Sequence, residues 1–554
     1  MPHTQLFGSL LRTARLCRAA RRRGVSVAQG REGQGDGGAG GRRLTRREFI
    51  SAGAAAAAAL AVPRWAFATG SGRPSVAIVG AGIAGLNCAL TLVDRGVLPA
   101  IYEASGRVGG RMFSNQDYWS EGQVSEWCGE LIDSNHHTIR RLAARFGLQL
   151  DDLVAAQPPG AEETLSFDGG CYPRAQAVQD FQPVYDAVQA DFAAAGESTT
   201  WESGTAAGRR LDNLSLWSWI EQRVPGGRTS RLGQLLDVAY TAEYGADTRD
   251  QSALNLVYTL AGSDRHFETY GASDERYHIR GGNQQLPQAL AAYLARAGAR
   301  VQTRWPLAAL RERPDGKYVL NFEHGAGRAE VVADFVVLAL PFAVLRKLDY
   351  TRAGFDSLKD KTIRELGCGR NAKLQLQFTR RLWNEAGAWG RSTGTTFAGC
   401  GYQNTWEPTR GQGGSCGILN DFLGGSGVGR LRTREVFLRA PNPALAEDAG
   451  AFLAAAAKAF PGLAALWNSK ATVSVPHRWP LFNCSYAYWR VGQYQSIAGY
   501  ERVRQKNVLF AGEHTSVSYQ GFMEGAAQEG RRAADEILAQ LGRRRAKGAG
   551  QAAE

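Results

Sequence analysis

The chain has no Cys-x-x-Cys pair, and its eight cysteines lie far apart with no histidines at metal-ligand spacing. That excludes a zinc module and a dense disulfide framework, and no metal site is expected. No internal repeat is visible, so a solenoid or propeller is excluded. Nor is there an apolar run long enough to cross a bilayer, which takes about 20 helical residues. A net charge of +13 suggests a nucleic-acid partner, but no basic stripe interleaved with aromatics occurs in the body of the chain. The charge is unevenly placed: residues 1–68 hold twelve arginines against three acids, and Arg543-Arg544-Arg545-Ala546-Lys547 near the end holds most of the remainder. Nucleic-acid binding is therefore not expected, and residues 543–554 read as a basic flexible tail. Cys17 falls in the basic leader, leaving seven cysteines beyond it. An odd number leaves at least one free thiol, or else a homodimer joined through it.

What is present begins with that leader. Residues 1–44 are rich in Arg and Gly; then come Thr45-Arg46-Arg47-Glu48-Phe49-Ile50, an Ala-rich run from Ser51 to Val62, and the small-x-small site Ala66-Phe67-Ala68. The order of paired arginines, mild apolar core and cleavage site resembles a twin-arginine export signal. The resemblance implies transfer by the twin-arginine translocation machinery, as folded cargo, to the periplasm or the extracellular space. The remaining chain is long enough for two or three domains.

After a short linker, Ser75 to Val79 reads as a strand, followed by Gly80-Ala81-Gly82-Ile83-Ala84-Gly85, a helical stretch to about Arg95, and a second strand ending in Tyr102-Glu103. Each position has a physical reason. Gly80 permits the tight turn, Gly82 lets backbone approach a pyrophosphate, and Gly85 lets the helix pack on the sheet. The helix start, with Ile83 and Ala84, offers free N–H groups and its dipole to the phosphates. Glu103, 18 residues past Gly85, is placed to accept from ribose hydroxyls. The following segment, Ala104-Ser105-Gly106-Arg107-Val108-Gly109-Gly110-Arg111, resembles the one that passes beside the pyrophosphate and flavin in FAD-binding proteins. Gly109 and Gly110 would allow close approach, and Arg107 or Arg111 would meet phosphate charge.

Further segments carry a wider resemblance: Gly129-Glu130 with His136 to Leu142, Ile279-Arg280-Gly281-Gly282-Asn283, Ala333 to Pro341, and above all Asn507 to Ser516 followed by Gly521-Phe522-Met523-Glu524-Gly525-Ala526. Over nearly all of residues 75–540 the chain resembles the flavin-containing amine oxidase family, which includes monoamine, polyamine and L-amino-acid oxidases. The resemblance implies an α/β fold: an FAD-binding Rossmann-like domain (75–128, 276–345 and 491–542) interleaved with an α+β substrate-binding domain (129–275 and 346–490). It places Ala511, Gly512 and Glu513 close to the cofactor. The helix beginning near Phe522 would point its positive end at the flavin, with the Met523 N–H donating to a ring carbonyl.

The implied reaction is oxidation of a primary amine to an imine, then aldehyde and ammonia, with oxygen reduced to hydrogen peroxide. Alternation in Asn371 to Phe378 puts Lys373, Gln375 and Gln377 on one strand face. Relatives with this segment carry a lysine that holds a water against the flavin, which makes Lys373 the first catalytic candidate; burial would depress its pKa. Phe522 and Tyr486 match the two aromatics that flank the substrate amine. Trp406 and Trp479 are further pocket candidates. Cys484 stands one position early for the cysteine that attaches FAD in some relatives, so non-covalent FAD is expected. Where L-amino-acid oxidases place a carboxylate-binding Arg shortly after the glycine matching Gly129, this chain has Glu130-Leu131-Ile132, which favours an amine without a carboxylate. Glu130 and Asp133 would suit a second ammonium group, or be structural acids. An L-amino-acid oxidase forming a 2-oxo acid, and an FAD amine dehydrogenase using another acceptor, stay as alternatives.

Overall fold

The computed structural model describes residues 74–263, 267–325 and 327–551. The leader, with its paired arginines and Cys17, lies outside the described residues.

Short β-branched and aliphatic runs build a five-stranded parallel sheet in the order Val508–Phe510, Phe335–Leu338, Val76–Val79, Ala100–Glu103, Val301–Thr303. Its central strands are buried on both faces, as parallel strands between helices must be, and so read as continuous apolar runs. The crossover from the first strand to the second is the helix Ile83–Val93. The long C-terminal helix Met523–Gln551 packs across it: Gly530 approaches so closely that a Cβ there would meet the Ala84 carbonyl oxygen at 2.0 Å, and the Asn87 side-chain amide donates to the Ala527 carbonyl (2.7 Å). Residues 543–554 read as a flexible tail in the sequence, but the helix runs into them. It continues to Gln551, through the helix formers Arg543 to Lys547 and past Gly548 and Gly550.

A second, eight-stranded sheet runs in the order Phe437–Arg439, Trp467–Ser474, Asn371–Phe378, Gly417–Gly424, Asn404–Trp406, Ser392–Ala398, Glu162–Phe167, Gly170–Cys171. Asn371–Phe378 lies inside it, paired antiparallel on both sides, with Lys373 opposite Phe422 and Ser474. Helices Arg174–Ala195, Leu216–Arg223 and Arg231–Tyr244 share one large apolar cluster with one face of the parallel sheet, while the glycine-turn helix and the sheet's other face form another. A four-stranded sheet in the order Gly327–Ala333, Tyr318–His324, Leu307–Glu312, Asp349–Arg352 completes the sheets of four or more strands among the described residues. None of the described helices is long and apolar enough to cross a membrane.

Candidate active site

A single cavity of about 720 Å³ runs from the glycine turn after the first strand to the strand carrying Lys373. At one end the three glycines do different work. Gly80 has φ +103°, and a Cβ there would meet the Ala339 carbonyl oxygen at 2.4 Å. A Cβ on Gly85 would lie 1.9 Å from the Gly80 carbonyl oxygen. A Cβ on Gly82 would meet nothing within 4 Å, so the space in front of the helix start is open. No side chain caps that start and no acid lies in its first turn. The free N–H groups there are the natural partners of a pyrophosphate.

Glu103 is already engaged. Its carboxylate accepts from the Ala81 N–H (2.9 Å), the Ser105 N–H (2.8 Å) and the Ser105 hydroxyl (2.7 Å), so it ties the glycine turn to the next loop while still lining the cavity. The two arginines divide. Arg111 is ion-paired with Glu513 (2.9 Å) and donates to the Ser485 carbonyl (2.7 Å). Arg107 has no acid partner among the described residues: it donates to the Gly110 carbonyl (2.6 Å) and stacks on Phe113 at 3.9 Å, leaving its charge for the cavity. Gly109, Gly110, Ala104 and Gly512 line the same space.

At the other end Lys373, 6 % exposed, sits in a web of acceptors. Its Nζ donates to Glu130 Oε2 (2.5 Å) and to the Cys128 carbonyl (2.7 Å). Glu130 Oε1 in turn accepts from the Trp406 indole N–H (2.8 Å). The expected buried lysine is half of an ion pair, and its partner is Glu130, which was a candidate substrate contact or structural acid. Its strand neighbours behave as the alternation requires, since Gln375 accepts from the Ser125 hydroxyl (2.8 Å) and Gln377 donates to Gln123 (2.9 Å).

Tyr486 and Phe522 line the cavity between these ends. The Tyr486 hydroxyl donates to the Glu243 carbonyl, and burial holds that phenol well above its ordinary range, so it stays neutral. Phe522 packs edge-on against His136 at 4.7 Å. His136 is itself neutral: burial lowers its pKa to about 3, and its Nδ1 accepts from the Asp133 N–H (2.9 Å). Met523 opens the C-terminal helix at the cavity wall, and Glu524 behind it accepts from the Thr138 and Ile139 N–H groups, capping the start of helix His137–Arg145. Trp479 lines the cavity too. Cys484 does not, although Ser485 does; Cys484 lies in a separate small void with Cys368. All seven described cysteines are free thiols.

Sequence reasoning missed three acids on the same wall: Glu163, Glu243 and Glu275. Glu243 had a readable signal. It falls on the face of helix Arg231–Tyr244 that carries Leu236, Ala239 and Tyr240, an acid at an apolar position. Glu275, in a loop, had none.

Residues 83–538 match the family described as flavin containing amine oxidoreductase. The chain belongs to that family. It is a flavin-dependent oxidoreductase acting on amines, in a family that uses FAD. Among its relatives are the nicotine dehydrogenase of Pseudomonas putida, 23% identical over 83% of this chain and 88% of the relative, and the flavin-containing amine oxidase A of Sus scrofa, 22% identical over 84% and 85%. The fold matches cyclohexylamine oxidase from Brevibacterium oxydans (TM-score 0.70, 21% identity, 85% of this chain and 100% of that one). It also matches a putrescine oxidase (TM-score 0.68, 18% identity, 84% and 99%). The parallel sheet, the glycine turn and the interleaved second sheet are thus the amine oxidase fold expected from the sequence.

Proposed function

We propose that this chain is an amine oxidase that converts a primary amine to an imine, later hydrolysed to aldehyde and ammonia, with oxygen reduced to hydrogen peroxide. One observation carries the reading: a single cavity joins the uncapped helix start behind Gly82 to the Lys373–Glu130 pair, with Tyr486 and Phe522 between them. The residues fit FAD, because the space ahead of Gly82 is open and Arg107 brings an unpaired charge to it. Bound there, FAD would accept a hydride from the carbon bearing the amine and pass the electrons to oxygen.

The chain's own residues do the rest. Gly82, Ile83 and Ala84 would hold the pyrophosphate with Arg107, while Glu103 fixes the turn and offers its remaining lone pairs to the ribose. The Met523 N–H, at a helix start, would donate where negative charge develops on the ring. Lys373, held by Glu130 and the Cys128 carbonyl, would position a water with its remaining N–H. Tyr486 and Phe522 would flank the amine, and the aromatic walls would keep it dry. The domains follow the division given above. FAD is non-covalent in this reading, since Cys484 does not line the cavity and sits with Cys368 in a separate small void. Of the arginines lining the cavity, Arg111 is taken up by Glu513 and the Ser485 carbonyl and Arg107 is stacked on Phe113, and Arg140 instead stacks over Tyr277 at 4.7 Å. That supports an amine over an amino acid.

The test is anaerobic mixing of the purified yellow protein with amines and with L-amino acids. Bleaching by amines followed by peroxide formation on admitting air supports the reading. Slow reoxidation in air points instead to a dehydrogenase with another acceptor, and bleaching by amino acids alone defeats the amine assignment. The leader supports export through the twin-arginine pathway to the periplasm or beyond; replacing Arg46 and Arg47 together by Lys should retain the protein in the cytoplasm.

A further inference from the structure

Five carboxylates face the cavity around its amine end, and three of them are accounted for. Glu130 is paired with Lys373 and Trp406. Glu163 is paired with Arg174 at 2.9 Å. Asp133 accepts from the Ser273 hydroxyl (2.9 Å) and the Glu275 N–H (3.0 Å). The second-ammonium role considered for Glu130 and Asp133 is therefore taken up by internal partners. Glu243 and Glu275 are different. Glu243 is 2 % exposed, and its Oε1 has no hydrogen-bond partner. The Glu275 carboxylate likewise makes no hydrogen bond or ion pair among the described residues, and its backbone is held at φ +44°, a conformation that a non-glycine residue adopts only when its surroundings impose it.

A buried carboxylate is stable when it is paired, or neutral when it is not. Glu243 is buried without a partner and Glu275 is half-buried beside it, and the cavity that both line is where a partner would enter. We propose that Glu243 and Glu275 form an anionic subsite for the second, non-reacting ammonium group of the substrate, so that this enzyme acts on diamines or polyamines. The proposal rests on the amine-oxidation reading above. The lining of the same cavity includes the aromatic side chains of Tyr270, Phe397, Trp406 and Phe422, which suits the methylene chain of such a molecule. Arg410, whose field reaches Glu275, Glu130 and Glu163, is buried outside the cavity lining and donates to the Glu407 carbonyl (3.3 Å), so it does not occupy the subsite.

The experiment compares α,ω-diamines of three to eight carbons with the monoamines of equal length, using the purified holoenzyme. The diamine should exceed its monoamine in kcat/KM by about tenfold or more, the worth of one charge-assisted contact. Glu243→Gln and Glu275→Gln should each collapse that ratio, chiefly through KM. Monoamines used as well as diamines, or a ratio unchanged in both variants, overturn the proposal. Should a variant fail to fold, calorimetry on the wild-type protein decides: an α,ω-bis(trimethylammonium)alkane, which cannot be oxidised, should bind about tenfold tighter than the singly charged analogue, and equal affinity overturns the subsite. A flavin that no amine bleaches defeats the amine-oxidation reading, while the calorimetric comparison still decides the subsite.

Discussion

At the scale of single residues, the Lys373–Glu130 pair is the buried ion pair on which the proposed chemistry rests. Two opposite charges inside a protein cost solvation on both sides, and the pair survives because each charge is hydrogen-bonded: Lys373 to Glu130 and Cys128, with only a long 3.4 Å contact to the Glu126 carbonyl for its third N–H, and Glu130 to Lys373 and Trp406. Removing one partner strands the other. Lys373→Met should lower stability by about 3–5 kcal/mol and cut amine turnover, since it leaves Glu130 buried and uncompensated. Adding Glu130→Gln to that variant should restore much of the stability but none of the turnover. Denaturant unfolding beside stopped-flow flavin reduction reads both quantities. Recovery of turnover in the double variant would remove Lys373 from the mechanism.

At the scale of elements, the glycine turn separates folding from binding. Gly85 and Gly82 are three residues apart on the same helix start, yet a Cβ on Gly85 strikes backbone at 1.9 Å while one on Gly82 points into open space. Gly82 also has φ −72°, which any residue adopts. Gly85→Ala should therefore destabilise the fold by about 1–3 kcal/mol through overpacking. Gly82→Val should leave unfolding nearly unchanged and weaken FAD retention, as shown by bound flavin after gel filtration. The same contrast separates what the chain's local pattern carries from what only folding creates. The strand, turn, helix and acid from Val76 to Glu103 were legible because period and glycine spacing are local. The lysine strand was legible because alternation is local. Partnerships such as Lys373 with Glu130, or Arg111 with Glu513, join residues hundreds of positions apart and leave no local trace. Glu275 was invisible for the same reason: its loop carries no period, and only folding brings it beside Asp133 and Glu243.

At the scale of the whole molecule, the unpaired acids tie ligand binding to pH. Burial, with Asp133 and Glu163 adding to it and Arg410 opposing, raises the Glu275 carboxyl to about 7. Burial, with Glu275 and Asp133 adding, raises Glu243 well above its ordinary value. A carboxyl raised on folding stabilises the folded state while protonated, fully below about 4.5, and that contribution is lost as pH rises through about 7. His136 and His477 act oppositely: burial lowers His136 to about 3 and His477 to about 4, so their part of the stability grows with pH. The free protein's pH–stability curve therefore mixes opposing contributions. The difference made by a ligand does not, because the histidines contribute alike with and without it. A bis(trimethylammonium)alkane carries fixed charge, so only the protein titrates. Its stabilisation, measured as a shift in Tm, should be small at pH 5.5, rise around pH 7 and be larger at pH 8.5, as Glu275 becomes an anion that the dication can meet. Glu275→Gln should flatten that rise while leaving the shift at pH 5.5 nearly as it was. A shift independent of pH in the wild-type protein would place the dication away from these carboxylates.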